Sequence, residues 1–422
     1  MIFTRVEFRG LNWLAPFRAD ADTLPPSLQL IFFLLFAVLS AHAQTFNVLH
    51  RFAGKGDGEF PWAGVMRDSR GNLYGTTQHG GSFDFGTLFK LDAHGKPAIL
   101  HSFWGGDGLW PYATLIRDQA GNFYGTATGG GTLEGGGCRH GCGSVVKLDS
   151  AGKETVLYAF AGGADGSEPN AGVIRDDAGN LYGTTAGCGY SSCGGVVFKV
   201  DKNGKETVLH TFTDTPDGAG PTGTLIRDRV GNLYGMTYRG GSFGRGLVFK
   251  IDPFGKETML YNFTAGKDGG EPQGTLLRDA KGNLYGVTFV GGDLSCGYDG
   301  EGCGAIFRLD HHGKETVLYA FKGTPDAAFP NGGLVRDKSG NLYGVTQQGG
   351  SGSCGNSSCG TVYKLEPNGK ETLLHSFTGG SDGSAPIGSL TIDQSGNLYG
   401  TTNVGGDFSC LCGAVFKITP LN

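Results

Sequence analysis

One aspartate recurs in seven stretches of the sequence, always four residues before a proline. A ring of such carboxylates would suit Ca²⁺ or a polar ligand, because hard cations prefer oxygen ligands. The alternative is that each aspartate accepts hydrogen bonds within its own turn. One carboxylate per stretch offers no close ligand set, and this favours the turn. Both interpretations apply to Asp57, Asp107, Asp165, Asp217, Asp268, Asp326 and Asp382.

Catalytic motifs are weak in this sequence. Residues 240–244 (GGSFG) match G-x-S-x-G, but that motif requires a strand-to-helix turn, and this stretch is rich in glycine with no helical pattern. The zinc-hydrolase motif H-E-x-x-H does not occur. One repeated position holds histidine in four copies (His50, His101, His210, His375) and tyrosine in three (Tyr158, Tyr261, Tyr319), which indicates a structural role. We therefore predict no catalytic residue, no metal ligand set and no cofactor beyond the candidate Ca²⁺ face.

Three tryptophans offer aromatic faces that could stack on a sugar ring. Trp62, Trp104 and Trp110 cluster within the first two of the seven stretches. Aromatic rings with a polar atom are common where one side of a ligand is apolar and the other hydrated. With the aspartates, these tryptophans form the candidate ligand-binding face.

The elements that position these residues come from an internal repeat. The motif GN(L/F)YG occurs seven times, at intervals of 50 to 58 residues. A period near 50 is typical of propellers and related repeat folds. The copies begin at Gly71, Gly121, Gly179, Gly231, Gly282, Gly340 and Gly396.

Each repeat predicts four short antiparallel strands, which in the first copy are residues 63–68, 72–77, 87–92 and 98–103. Leu88 points to one face of this sheet, whereas Phe89 and Leu91 point to the other, so both faces need neighbours. Packing such sheets around an axis covers both faces, and propellers have about four to eight blades. We predict an all-β, seven-bladed β-propeller of four-stranded antiparallel blades.

The two ends of the repeat region complete one another. Residues 46–52 match a fourth strand without its three predecessors, and residues 414–419 match a third strand without its successor. We predict that the last blade combines residues 387–393, 397–402 and 414–419 with 46–52. This closure would remove free sheet edges, which invite aggregation.

The ten cysteines form five close pairs, each between the second and third strands of a repeat. Even numbers of locally paired cysteines in an exported chain indicate disulfides. Zinc binding by thiolates from neighbouring loops is the alternative, but the spacings vary and no C-x-x-C occurs. The candidate disulfide residues are Cys138 and Cys142, Cys188 and Cys193, Cys296 and Cys303, Cys354 and Cys359, and Cys410 and Cys412.

The N-terminal residues predict export. Residues 30–39 (LIFFLLFAVL) are apolar, too few to span a bilayer, and followed by the A-x-A pattern of residues 41–43. We expect residues 1–43 to be a signal peptide with an unusually long n-region, and 44–422 to be one propeller domain. The mature chain shows no integral membrane segment, and its formal net charge of −5 with no basic cluster excludes nucleic acid as an expected partner.

The repeats resemble the GloVer tandem-repeat family, whose members are also described as choice-of-anchor tandem-repeat proteins. The resemblance covers residues 46–419. It rests on the seven GN(L/F)YG motifs, the Gly-Gly that follows, and strands such as VFK at 197–199 before GKET at 204–207. It implies an exported repeat protein, often with a C-terminal anchoring segment that residues up to Asn422 do not show. It implies no particular activity.

These observations favour a secreted, monomeric binding or cell-envelope scaffold module, extracellular or periplasmic, with a carbohydrate or protein ligand on its loop face. The alternative is a polysaccharide-active enzyme, a hydrolase or lyase, with its site in the axial pocket on that face. Variable loops on a rigid frame are where either function would reside.

Overall fold

The structure, a computed structural model, describes residues 44–131, 138–188, 194–354, 359–406 and 410–419. The predicted signal peptide, residues 1–43, lies outside the described residues. Gln44–Pro420 form one compact unit. None of the helices in the described ranges is long and apolar enough to cross a membrane.

The described residues form strands joined by short turns, with one 3₁₀ turn at Tyr298–Gly300. In chain order the strands are β1 (Thr45–Arg51), β2 (Met66–Arg67), β3 (Leu73–Thr77), β4 (Thr87–Leu91), β5 (Pro97–Ser102), β6 (Ile116–Arg117), β7 (Phe123–Ala127), β8 (Ser144–Leu148), β9 (Glu154–Ala159), β10 (Ile174–Arg175), β11 (Leu181–Thr185), β12 (Val196–Val200), β13 (Glu206–Thr211), β14 (Ala219–Arg227), β15 (Leu233–Arg239), β16 (Leu247–Ile251), β17 (Glu257–Asn262), β18 (Gly270–Arg278), β19 (Leu284–Val290), β20 (Ala305–Leu309), β21 (Glu315–Ala320), β22 (Ala327–Pro330), β23 (Val335–Arg336), β24 (Leu342–Gly349), β25 (Thr361–Leu365), β26 (Glu371–Ser376), β27 (Thr391–Ile392), β28 (Leu398–Thr402) and β29 (Ala414–Thr419).

These strands build seven antiparallel sheets, and this confirms the predicted seven-bladed β-propeller. Blades 1 to 5 take four consecutive strands each, from β2–β5 to β18–β21. Blade 6 has five strands (β22–β26), because its innermost position is divided between β22 and β23, which both pair with β24. Blade 7 combines β27, β28 and β29 with β1.

The last blade closes the ring as the sequence predicts. β1 pairs antiparallel with β29, with Thr45 opposite Thr419 and Val48 opposite Phe416. The first and last strands therefore hydrogen-bond side by side, so β29 is paired on both edges and β1 is the outermost strand of blade 7.

Each GN(L/F)YG motif begins with a tight turn between the first and second strands. In blade 1, Gly71 has φ of +87° and its N–H donates to the Asp68 carbonyl, 3.0 Å away. Glycine suits this turn because a side chain disfavours positive φ. The Asp68 carboxylate accepts from the N–H groups of Arg70 and Asn72, at 3.0 and 2.9 Å. The turn thereby fixes where the second strand begins.

The core consists of seven apolar layers between neighbouring blades. The aromatic residue that follows a fourth strand packs edge-on against the third strand of the next blade, as Phe52 does against Phe89 with ring centroids 5.1 Å apart. Phe212 and Phe249 repeat this contact at 5.1 Å, and all four side chains are buried. Because every blade supplies both surfaces, each is stable only between two neighbours.

The innermost strands are shorter than predicted in several blades. In blade 1 only Met66–Arg67 joins the ladder, whereas the corresponding strand of blade 4, Ala219–Arg227, has nine residues. Even β14 has a register shift between Thr222 and Ile226. The innermost segments converge on the axis there, and contacts with adjacent blades replace part of the sheet pairing.

Candidate ligand-binding site

A cavity of about 620 Å³ lies on the propeller axis, where the innermost segments converge. The residue after the repeated proline lines it in every blade. Because this position carries six residue types in the seven blades, with asparagine in two of them, the wall is chemically uneven. These seven residues are Trp62, Tyr112, Asn170, Thr222, Gln273, Asn331 and Ile387.

Small residues line the cavity where adjacent innermost segments touch. A Cβ added to Gly64 would collide with the Ser389 carbonyl oxygen, and one added to Gly223 would collide with the Gly274 carbonyl oxygen. Neither glycine can be enlarged without separating the blades. This part of the wall therefore presents backbone rather than bulky side chains.

One side of the cavity is aromatic. The rings of Trp62 and Tyr112 lie with centroids 5.1 Å apart and planes inclined at 50°. Gln78 Nε2 donates to the Tyr112 hydroxyl over 2.7 Å, which orients that ring. The Trp62 indole Nε1 is buried and has no hydrogen-bond partner among the described residues. Buried donors usually have a partner, so this N–H is an exception in the wall.

The wall across the ring from Trp62 is polar. The Tyr238 hydroxyl donates to Glu271 Oε2 over 2.8 Å, and Arg245 Nη1 lies 3.0 Å from Glu271 Oε1. Burial and the neighbouring Glu271 carboxylate raise the pKa of Tyr238 to about 12, so this phenol stays protonated. Arg239 and Glu168 also line the cavity, and the charged groups of this wall balance one another.

The residue before the repeated proline adopts a left-handed backbone conformation in all seven blades. Such φ values are uncommon for residues other than glycine. Since six of the seven carry a side chain, the surrounding structure must impose the conformation. The residues are Phe60 (φ 56°), Trp110 (56°), Glu168 (57°), Gly220 (60°), Glu271 (54°), Phe329 (58°) and Ala385 (49°).

A backbone hydrogen bond to the loop of the preceding blade holds this residue in every blade, and in four blades the accepting carbonyl belongs to a cysteine. The Phe60 N–H donates to the Cys412 carbonyl, and the Glu168 N–H donates to the Cys142 carbonyl, both over 2.9 Å. Phe329 and Ala385 donate in the same way to Cys303 and Cys359, at 2.9 and 2.8 Å. The loop of one blade therefore supports the cavity rim of the next.

The disulfides lie in these supporting loops. The structure contains the bonds Cys138–Cys142, Cys296–Cys303, Cys354–Cys359 and Cys410–Cys412. Cys188 is also disulfide-bonded, and Cys193, its predicted partner, lies outside the described residues.

The aspartates predicted for the ligand face lie between the outer strands, and none of the seven lines the axial cavity in the described ranges. Each faces the histidine or tyrosine of its own fourth strand. All seven also accept a backbone N–H from three or four residues earlier, as Asp165 does from Ala161. The pairs are His50–Asp57 (3.0 Å), His101–Asp107 (2.6 Å), Tyr158–Asp165 (3.0 Å), His210–Asp217 (3.3 Å), Tyr261–Asp268 (3.1 Å), Tyr319–Asp326 (3.0 Å) and His375–Asp382 (3.1 Å).

The three predicted tryptophans have different environments. Trp62 lines the cavity. Trp110 lies at the rim between His79 and His140, with centroids 6.4 and 5.5 Å away. Trp104 does not line the cavity, and 55% of its surface is exposed.

Sequence reasoning missed a glutamate that begins the fourth strand of blades 2 to 6. Each faces the aspartate of the preceding blade, and its buried Oε1 has no hydrogen-bond partner within the described ranges. Burial first, and the facing aspartate second, raise the pKa of Glu206, Glu257, Glu315 and Glu371 to about 7. Burial and Asp107 also raise the pKa of Glu154. The recurring GKET sequence was the available signal.

A second missed group connects the blades near the GN(L/F)YG turns. The Tyr74 hydroxyl donates to Asp68 Oδ2 over 3.1 Å, and Arg117 of blade 2 lies over the Tyr74 ring, 5.3 Å from its centroid. The signal is an aspartate that recurs six residues before each motif tyrosine. These aspartates are Asp68, Asp118, Asp176, Asp228, Asp279, Asp337 and Asp393.

The molecule is thus a disulfide-bonded seven-bladed β-propeller with one uneven axial cavity. The chain belongs to the Gloeobacter/Verrucomicrobia repeat family, whose model matches residues 35–140, 132–357 and 299–422. This membership confirms the resemblance drawn from the repeats. The search of curated proteins found no match.

Several solved structures are similar to this chain at low sequence identity. The extracellular domain of a protein described as a hybrid two-component system from B. thetaiotaomicron is 14% identical with a TM-score of 0.55, covering 90% of this chain and 43% of that one. PorZ, a surface component of the type-IX secretion system of Porphyromonas gingivalis, is 16% identical with a TM-score of 0.49, covering 87% and 47%. A gluconolactonase from Xanthomonas campestris is 14% identical with a TM-score of 0.44, covering 92% and 93%. The chain spans less than half of the first protein, and that likeness shows the fold alone.

Proposed function

We propose that this protein is an exported binding module that holds a carbohydrate in its axial cavity. The observation that carries the proposal is the aromatic wall, where the rings of Trp62 and Tyr112 lie side by side at the cavity. Sugar rings have an apolar face and a rim of hydroxyls. An aromatic ring face complements the apolar side of a sugar, and the polar side chains of the cavity wall complement its hydroxyls.

The rest of the cavity supports a polar, uncharged ligand. Asn170, Gln273 and Asn331 line it, and their amides can each donate and accept hydrogen bonds. The cavity volume of about 620 Å³ lies within the range of roughly 300–1,000 Å³ that is typical of ligand pockets.

Export is part of the proposal and rests on the disulfides together with the predicted signal peptide. Disulfides form and persist in oxidising compartments and are rare in the cytosol. The secreted chain would then meet glycans outside the cell or in the periplasm.

A glycan array probed with the purified chain tests the ligand class, and calorimetry on the best glycan tests the site. We expect Trp62→Ala to abolish binding, because it removes the aromatic face on which the sugar ring would stack. The matched control is Trp104→Ala, which removes an exposed tryptophan outside the cavity and should bind like the wild type.

Equal loss in both variants, or an undiminished affinity in Trp62→Ala with unchanged circular dichroism, would refute the cavity assignment. Release of reducing ends from a bound polysaccharide would instead support the polysaccharide-active enzyme.

A further inference from the structure

The boundary between blades 3 and 4 brings three possible metal ligands together. They lie at the outer strands of the blades, away from the axial cavity. His210 belongs to β13, the outer strand of blade 3, and Asp217 follows that strand. Glu257 is the first residue of β17, the outer strand of blade 4. One ligand atom from each lies within 4.8 Å of the other two.

The blade packing places these residues face to face. The turn before β17 lies against β13, since a Cβ added to Gly255 would come 2.9 Å from the Leu209 carbonyl oxygen. On the other side, Asp217 Oδ1 accepts from both the N–H and the hydroxyl of Thr213, at 2.9 and 2.8 Å. These bonds hold the carboxylate so that Oδ2 is directed at His210.

Two of the three ligand atoms have no hydrogen-bond partner in the described chain. They are His210 Nε2 and Glu257 Oε1, and both atoms are buried. His210 Nε2 lies 3.3 Å from Asp217 Oδ2 without the alignment of a hydrogen bond. An unpaired Oε1 recurs at the four equivalent glutamates, whereas His210 Nε2 is the one buried histidine nitrogen without a partner within the described ranges. Buried polar atoms nearly always have a partner, so the unpaired imidazole beside this carboxylate oxygen indicates that a partner is absent here.

The other three boundaries that carry a histidine and an aspartate have no such unpaired histidine nitrogen in the described chain. His50 and His375 are hydrogen-bonded to their aspartates, and their boundaries carry Pro97 and Phe46 where Glu257 stands. His101 has the equivalent glutamate, but its Nε2 is already hydrogen-bonded to Asp107 over 2.6 Å.

The distances suit a small divalent ion. Zinc binds histidine nitrogen and carboxylate oxygen at about 2.0–2.2 Å, and tetrahedral geometry then places the two donors roughly 3.3 Å apart. His210 Nε2 and Asp217 Oδ2 already have this separation. Calcium is a poorer match, because it takes about 6–8 oxygen ligands and the cluster offers one imidazole and two carboxylates.

We propose that His210, Asp217 and Glu257 bind a divalent transition-metal ion of the zinc type, which joins the outer strands of blades 3 and 4. Water would fill the remaining coordination position, since the side chains of His210 and Asp217 are 17% and 15% exposed. The ion would satisfy the unpaired imidazole nitrogen and the unpaired Glu257 oxygen together.

Calorimetric titration of the chelator-treated full chain with zinc sulfate tests the proposal. We expect one tight site per chain in the wild type. His210→Tyr introduces the residue that blades 2 and 4 carry at this position, so it is compatible with the fold. It should weaken zinc binding by at least about 100-fold, a loss that even outer-shell changes can cause at metal sites.

The matched control is His101→Tyr, which makes the same replacement in the cluster whose histidine is already hydrogen-bonded. It should retain the wild-type affinity for the tight site. Glu257→Gln tests the third ligand. It keeps the shape of the side chain but removes its negative charge, and it should still weaken zinc binding. Wild-type zinc affinity in His210→Tyr, or an equal loss in His101→Tyr, would overturn the assignment.

Discussion

Three blade boundaries combine a tyrosine, an aspartate and a glutamate, and their response to pH can be worked out from the structure. At one of them the Tyr158 hydroxyl donates to Asp165 over 3.0 Å, and Glu206 of the next blade faces the same carboxylate. Two carboxylates in a half-buried site repel each other, so the folded protein favours protonation of the glutamate. Glu315 and Glu371 occupy the same position at the other two boundaries.

The magnitude follows from the difference between the folded and ordinary pKa values. Burial, followed by the facing aspartate, raises the pKa of each glutamate from 4.5 to about 7. This difference corresponds to about 3 kcal/mol at ~1.4 kcal/mol per pKa unit. Because each glutamate is only half-buried and water screens the repulsion, we expect about 1 kcal/mol for each.

The direction of the effect is fixed by proton linkage. Between pH 4.5 and about 7 the folded state binds more protons at these sites than the unfolded state does, so stability falls as the pH rises. Glutamine has the shape of the protonated glutamate and does not titrate. The triple variant Glu206→Gln, Glu315→Gln and Glu371→Gln should match the wild type near pH 5. Near pH 8 it should be more stable by about 3 kcal/mol.

Urea unfolding followed by circular dichroism at pH 5, 6, 7 and 8 measures this difference, with a chelator present so that metal binding does not contribute. Glu366→Gln is the control, because hydrogen bonding to Lys364 lowers the pKa of that partly exposed carboxyl. Its effect on stability should therefore be unfavourable and lost on acidification. A triple variant whose stability runs parallel to that of the wild type across this pH range would refute the reasoning.

Further predictions concern the contacts between blades, each measured by urea unfolding. Ile392 stands where each of the other six blades carries an arginine that lies over a tyrosine of a neighbouring blade. Ile392→Arg should therefore raise the free energy of unfolding by about 0.5–1 kcal/mol. A lower free energy of unfolding would contradict the cation–π contact. Tyr234→Phe removes the hydroxyl that donates to Asp228 over 3.0 Å and should lower the free energy of unfolding by about 1 kcal/mol. Removal of a hydroxyl without a hydrogen-bond partner would have a smaller effect. Phe46→Ala removes the ring that stacks on His375, with centroids 3.7 Å apart, where the propeller closes. It should lower the free energy of unfolding by about 3 kcal/mol. An unchanged stability would show that the packing of β1 does not contribute to the closure.

Much of the fold was predictable because its determinants are local in the sequence. The motif at Gly71 and its six copies set the blade number, since each copy specifies a turn and the strand after it. The closure by Thr45–Arg51 was predictable because the unmatched first and last strands each lacked one partner. The disulfides join residues a few positions apart, so their pairing followed from spacing.

The site was less predictable, because its contacts cross from one blade to the next. The sequence placed the aspartates of the ring, such as Asp217, on one face, but the structure turns them toward His210 and its equivalents between the outer strands. Glu257 belongs to the following repeat, and only the twist of the blades brings its carboxylate to Asp217. The recurring GKET sequence marks Glu257 as a repeated position, but it does not show whether the side chain faces solvent or the preceding blade.

The sequence by itself determined the repeating unit, the number of blades and the strands that close them, because turns and apolar alternation act over a few residues. Only the tertiary structure decided which side chains share a space. Trp62 meets Tyr112, and Glu257 meets Asp217, because neighbouring sheets twist and pack at a fixed separation. That separation is set by the buried aromatic layers between all the blades together, and no single repeat contains it.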